Sequence, residues 1–440
     1  MPFVLPEETA KEDPKSVIGD GDTLFDRLLN INQRDPYRDF TTWRVANRTQ
    51  FKADSHAQTF GVWWQKTDDQ FVDPLAQTIT DTNTQGAQWL LDINTERAGY
   101  YQLGVEWSRS AMPREYYANA NGSRGFQFGD LDLTADNTAI SLSVDYPLSE
   151  HWSVDSQLQW VQASRNSRNK EDGSQVDQHW NSWLPKLGVT YRPTSETRWF
   201  ANISTSREPP TFYEIAQAQV PPVATPGSAF VTLNEMDEQQ AVTLEIGGRG
   251  AFSEALGWDI AVYRSAVKNE ILSVASTFWV IAQSSNSDDK TAHQGLELGL
   301  YGQAPVANDF VSYQVAWNYS DFYFENGVFD GNQIAGAPKN VVSGVVNYHR
   351  GPYTFGISGY SQPDQNCVDH ANTLKQDSYF LLGLNVMYQP TTRLQFYVTL
   401  NNATDKTFNA AYVVRDQSTA ALPTFLPGNG RSMRRNRPET

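Results

Sequence analysis

The segment Val311-Ser-Tyr-Gln-Val-Ala-Trp-Asn-Tyr319 alternates large apolar side chains (Val311, Tyr313, Val315, Trp317, Tyr319) with small or polar ones (Ser312, Gln314, Ala316, Asn318). Successive side chains of a strand point to opposite faces, so a period of two assigns one face to an apolar medium and the other to water. The pattern recurs in Tyr101, Leu103, Val105, Trp107, in Ile140, Leu142, Val144, Tyr146, in Val242, Leu244, Ile246, and in Leu394, Phe396, Val398, Leu400. On this template about sixteen strands run from Thr41 to Asn401. Residues 1–40 read as an irregular segment, 41–401 as the strands, and 402–440 as a long loop with an aberrant basic tail.

The connections alternate in length. Short ones fall near 53–56, 96–99, 147–151, 192–197, 251–256, 302–309, 349–353 and 389–393; long polar ones fall near 68–84, 109–136, 162–180, 206–238, 272–293, 320–338, 361–377 and 401–429. All short turns then lie at one end of the sheet and all long loops at the other, the asymmetry of an outer-membrane barrel with short periplasmic turns and long extracellular loops. Trp152, Trp183, Trp199, Trp258, Trp317, Tyr319, Tyr388 and Phe396 cluster near strand ends, where a ring with a wet polar edge suits a membrane interface. The fold class is therefore all-β, an antiparallel transmembrane β-barrel. Its inner face would carry Gln157, Gln159, Asn202, Ser204, Glu245, Glu297, Gln314, Asn318, Asn347, Asn385, Gln395 and Thr399. So many strands leave a lumen to be filled by water or a plug.

Composition agrees. The 440 residues include 34 Lys+Arg and 50 Asp+Glu, a formal charge of −16, with only 39% hydrophobic residues but 12% aromatic ones. No run of apolar residues is long enough for a spanning helix. The acidic balance argues against nucleic acid as a partner, which needs Lys and Arg to neutralise phosphates. The single cysteine, Cys367, rules out an intrachain disulfide framework and a Cys-rich metal site, and leaves a free thiol or a partner elsewhere as alternatives. Residues 1–40 show neither a basic n-region nor an apolar h-region, so no signal peptide is expected in them.

Several segments, in order, resemble the barrel of TonB-dependent outer-membrane receptors. Trp183-Leu-Pro-Lys-Leu-Gly-Val-Thr-Tyr-Arg-Pro193 is similar to that family's "P-x-x-G-x-x-Y-x-P" strand, and Trp199-Phe-Ala-Asn-Ile-Ser-Thr-Ser-Arg-Glu-Pro-Pro-Thr-Phe-Tyr-Glu-Ile215 to its "S-x-S-x-x-x-P-P-T-F-x-E" strand. Glu238-Gln-Gln-Ala-Val-Thr-Leu-Glu-Ile-Gly-Gly-Arg-Gly250 resembles the strand after it, and Leu400-Asn-Asn-Ala-Thr-Asp-Lys-Thr-Phe408 resembles the "N-L-x-D-K-x-Y" signature. Most of these residues have structural work: Gly247, Gly295 and Gly299 allow close approach within a strand, Pro209 and Pro210 end one, and Asp405-Lys406 makes a turn. The resemblance implies uptake of a ferric siderophore or similar metal chelate in the bacterial outer membrane. It also implies contact with outer-membrane lipid and a TonB-type energy transducer acting through a plug absent from this chain. Barrels of the family have about 22 strands, so the chain reads as a portion truncated at both ends. Its open edges are expected to be costly in lipid.

No acid, base and nucleophile set can be assembled, so no enzyme is expected, and no cofactor or metal site either. The six histidines, His56, His151, His179, His293, His349 and His370, lack metal-ligand spacing and read as solvated or turn residues. The carboxylate pairs Asp68-Asp69 and Asp288-Asp289 read as solvated loop charge. Ligand contacts are expected in the long loops: Arg114, Tyr116, Tyr117, Arg124, Phe126 and Phe128 first, with Arg207 and Tyr213 as a second group. Arginine beside aromatic faces suits a planar anionic chelate through stacking and charge-assisted hydrogen bonds. The rival for Tyr116 and Tyr117 is the interfacial aromatic girdle. Two rival functions remain at this point, a passive porin-like channel and a soluble or surface β-rich carbohydrate-binding protein.

Overall fold

The computed structural model describes residues 4–16, 31–95, 99–221, 223–253, 255–275 and 282–435. Eighteen strands join in one antiparallel sheet in which each pairs with its neighbours in sequence, starting at Tyr37–Lys52 and His56–Val72. Gly99–Ala111 and Arg114–Ala120 both lie between Ala76–Thr95 and Ser123–Pro147, so they are two halves of one stave. Pro113 separates them because it has no N–H to give the ladder. Counting that pair once, and setting aside the four-residue strand Ser432–Arg435, sixteen staves lie between Tyr37 and Asn401. The first begins at Tyr37 rather than Thr41. The basic tail, expected to be irregular, pairs through Ser432–Arg435 with 398–401, and Arg437 lies outside the described residues.

Alternation sorts the two faces as the sequence predicts. Ile140, Leu142, Leu158, Leu187, Ile203, Leu244, Ile246, Val262, Ile357 and Val386 are exposed on the outer face. So large an uncovered apolar surface is untenable in water and suits lipid. On the inner face the Asn202 amide donates to Glu245 Oε2 at 3.0 Å. Near the short turns the outer face carries stacked rings, Trp152 on Tyr191 at 4.5 Å and Tyr353 on Tyr388 at 4.7 Å between centroids, with Trp199 tilted against Trp258 at 5.1 Å. Gly247 is needed where it stands, since an added Cβ would lie 2.6 Å from Ile260 O.

Three of the eight long connections turn out to be strand. His56–Val72 and Ala76–Thr95 carry the 68–84 segment, and the 109–136 and 162–180 segments are likewise tall hairpins. Asp68 and Asp69 therefore sit in a ladder, with Asp69 accepting from the Arg38 guanidinium at 2.9 and 3.0 Å, and are not loop residues. Above the membrane both faces of a hairpin meet water, so the alternation signal fades although the backbone still pairs. Thr78, Thr80, Thr82 and Thr84 keep the β-branched preference for strand there.

Among the described residues, Tyr37–Lys52 has a neighbour on one side alone and is exposed along its whole length. The other end of the sheet is the short Ser432–Arg435.

Charge on the two faces should be tolerated unequally. Leu244→Arg, on the outer face, is expected to cost about 2–4 kcal/mol if it lies near the bilayer midplane. Gln314→Arg, on the inner face, should cost little. Denaturant midpoints after reconstitution into lipid vesicles check this, and equal losses for the two variants would refute the facial assignment.

Candidate functional site

The remaining long connections fold over the tall hairpins and over one another. In the 206–238 segment a single helical turn, Phe212–Ile215, is closed by the Glu214 carboxylate accepting the Thr211 N–H. It leads into the hairpin Ala216–Gln219 with Phe230–Leu233. Phe212, Ile215, Ala216 and Val231 then bury against Tyr116, Phe128, Leu131 and Leu133. Tyr116 and Phe128, read from sequence as ligand contacts, are thus core residues, and Phe126 packs beside them half-buried.

Tyr213 stays outside that core, 68% exposed, and its ring lies 4.6 Å from the guanidinium carbon of Arg114. Arg114 is 1% exposed. Its Nη1 donates to Tyr116 Oη at 3.3 Å and its Nη2 to Met112 Sδ at 3.2 Å, while Nε is buried with no partner. No carboxylate pairs with it among the described residues. A guanidinium held against neutral acceptors retains most of its attraction for an anion.

Tyr117 and Arg124 form a separate pair, the guanidinium carbon 4.8 Å from the ring, with Tyr117 Oη donating to Glu115 at 3.1 Å. Because Tyr117 alternates with Tyr116 along the strand, this pair faces the opposite side of the hairpin. Arg207 is engaged in the wall, 3.6 Å from Glu238, whose two oxygens also accept from Ser182 Oγ at 2.9 Å. Of the eight residues, then, Arg114, Tyr116, Tyr213, Phe126 and Phe128 converge, and Tyr117, Arg124 and Arg207 do not join them.

A second cluster was missed in the sequence. Asp369, with no exposed surface, accepts from Thr373 N at 2.8 Å, Leu374 N at 3.1 Å, Thr373 Oγ1 at 2.5 Å and Ser418 N at 2.8 Å. It ties the 363–377 segment to 409–427. His370, expected to be solvated, is 2% exposed; its Nδ1 accepts the Ala335 N–H at 3.2 Å, and its ring lies against Phe324 and Phe329. Burial holds its pKa below the ordinary imidazole value despite Asp416, Glu270 and Asp369 nearby. Cys367 is a free, buried thiol in the same cluster, pushed up in pKa by burial.

His293 and His349 are also engaged, the first with Glu270 at 3.2 Å, the second with Ser312 Oγ at 2.8 Å. Leu5 bridges Phe425, the Ala275 N–H donates to Val414 O at 2.8 Å, and Gln217 Nε2 donates to Ser284 O at 2.6 Å; with the contacts of Asp369 and His370 these join the N-terminal segment and the five remaining long connections in one canopy. No group of three or more His, Cys, Asp or Glu fit to hold a metal occurs among the described residues.

The sequence model of a family described as "TonB dependent receptor-like, beta-barrel" matches residues 10–403. The probable TonB-dependent siderophore receptor PiuA of Acinetobacter baumannii is 24% identical in an alignment of 306 positions that covers 64% of this chain and 39% of PiuA. The vitamin B12 transporter BtuB of Photobacterium profundum is 25% identical in an alignment of 350 positions that covers 76% of this chain and 50% of BtuB. The chain thus spans half or less of the length of these curated relatives. Among solved structures, the ferric citrate transporter FecA in unliganded form superposes with a TM-score of 0.73 at 16% identity, covering 98% of this chain and 64% of that one. At that identity the likeness is one of fold.

Proposed function

Because this chain belongs to the TonB-dependent receptor family as part of its outer-membrane β-barrel, we propose that it serves the uptake of a ferric siderophore or similar anionic metal chelate. The observation that carries the proposal is Arg114, a buried cation with no carboxylate partner among the described residues, lying under the exposed ring of Tyr213. A planar anionic chelate entering beside Tyr213 would stack on the ring and give the guanidinium a charged acceptor in place of Tyr116 Oη and Met112 Sδ. The canopy that closes over the sheet would hold the ligand. Release inward would follow when a TonB-type energy transducer acts on the receptor. The relatives are transport receptors rather than enzymes, and the family sets aside the passive porin and the soluble carbohydrate-binding protein.

Titration of the detergent-purified chain with ferric catecholate, ferric hydroxamate, ferric citrate and cobalamin, followed by tryptophan fluorescence, tests this reading. One of the anionic ferric complexes should bind, and Arg114→Gln should weaken it about 10-fold or more, the value of one or two charge-assisted hydrogen bonds. Preference for cobalamin would overturn the chelate class. Unchanged binding by Arg114→Gln would overturn the site.

A further inference from the structure

A polar row crosses the outer wall at the end where the long connections begin. Arg264 stands directly opposite Gln294, and Gln294 directly opposite Asp321. Ladder partners share a face, and Arg264 shares that of Val262, which is exposed on the outside. Along the row the charges alternate in sign. Arg264 Nη2 donates to Glu325 Oε1 at 2.9 Å and its Nη1 to Gln294 Oε1 at 3.1 Å, while Gln294 Nε2 donates to Asp321 Oδ2 at 3.0 Å. Lys339 Nζ lies 3.4 Å from the other oxygen of Asp321 and 5.7 Å from the centre of the Tyr319 ring. The order is thus carboxylate, guanidinium, amide, carboxylate, ammonium.

The wall is hollowed beside this row. Ile246, Val262, Leu296 and Tyr319 are the next residues of the same face toward the short turns. They line a groove of about 520 Å³ whose polar margin is Arg264 and Gln294. Tyr319 suits the level of a membrane interface, with an apolar ring and a wet hydroxyl. A groove in a lipid-facing wall takes an acyl chain, and the charges at its margin select what that chain carries. A purely anionic headgroup would meet two carboxylates there as well as two cations. A headgroup with a phosphate next to an ammonium finds a partner for each. Its access is open, since the Arg264 side chain is 53% exposed and two bonds leave other N–H groups of the guanidinium free to donate.

We propose that the groove and the row bind a phosphoethanolamine lipid. The acyl chain lies along Ile246, Val262 and Leu296, the phosphate accepts from Arg264, and the ammonium donates to the carboxylates of Glu325 and Asp321 that flank it. The inference draws on the lipid-facing wall and not on the ligand of the canopy, so failure of the chelate titration would leave it standing.

The test uses the detergent-purified chain, freed of co-purified lipid and titrated with phosphatidylethanolamine, phosphatidylglycerol and phosphatidylcholine of one acyl composition. Native mass spectrometry reads the bound lipid, and thermal unfolding reads its effect. Phosphatidylethanolamine should bind about 10-fold tighter than the other two, because the glycerol headgroup has no ammonium and the choline headgroup has no N–H to donate. It should also raise the thermal midpoint the most. Arg264→Gln should abolish the preference while leaving the lipid-free midpoint close to native, since an exposed ion pair adds little stability. Val262→Trp, which fills the groove from an exposed position, should weaken all three lipids. The proposal is overturned if the three lipids bind alike, if either of the others binds tighter, if Arg264→Gln keeps the preference, or if Val262→Trp binds like the native chain.

Discussion

Asp369→Ala is expected to expose the thiol of Cys367 to labelling reagents roughly a hundredfold faster than in the native chain, through easier local opening of the canopy. Four donors converge on the Asp369 carboxylate, three of them backbone N–H groups of Thr373, Leu374 and Ser418. Alanine leaves them buried without an acceptor, and each orphaned donor costs about 1–3 kcal/mol. Part of that cost is recovered by water entering the gap, so a net loss of about 3 kcal/mol is a conservative expectation, and about 1.4 kcal/mol corresponds to tenfold in the opening equilibrium. The sheet below should be unaffected, because no strand of the wall depends on these bonds. Asp369→Asn keeps one carbonyl oxygen and should fall between the two. Labelling of Cys367 is a fair reporter since the thiol is buried two residues from the hub. A labelling rate for Asp369→Ala within a factor of two or so of native would show that the canopy is held by its apolar contacts instead.

The wall was legible in the sequence and the canopy was not, and physics accounts for the difference. Leu244 and Glu245 face lipid and lumen, two media so unlike that every strand between them must alternate. Asp369 and His370 answer to no period. Their burial depends on contacts with Ser418 and Ala335, far away in the chain, and a lone Asp-His dipeptide in a polar stretch looks solvated until those segments meet. Arg114 lay between the two cases. Its residue type pointed to anions, yet only the fold shows that Tyr116 is spent on the core while Tyr213 is brought over the guanidinium. The tall hairpins were misread as loops for the same reason that makes the wall readable: with water on both faces there is nothing for alternation to record.

Acidification should open the same canopy through His370. Its pKa is lowered by burial among Phe324 and Phe329, and the neutral ring suits its place because Nδ1 accepts the Ala335 N–H. A proton on Nδ1 would set two N–H groups against each other. Asp369, Asp416 and Glu270 pull the other way, but burial is the larger effect. In the opened state the ring is solvated and titrates near its ordinary value of about 6.5. Between that value and the lowered one the opened state binds more protons than the closed one. Closure is therefore at full strength above about pH 6.5 and is lost as pH falls toward the lowered value, by up to about 1.4 kcal/mol per pH unit. Cys367 labelled with 4,4′-dithiodipyridine, which reacts in acid, should accelerate over that window once normalised to the denatured chain. His370→Gln keeps an acceptor for the Ala335 N–H without a titrating group, so its normalised rate should be flat in pH. A native rate that is equally flat, or a His370→Gln variant that still accelerates in acid, would place the acid response outside this ring.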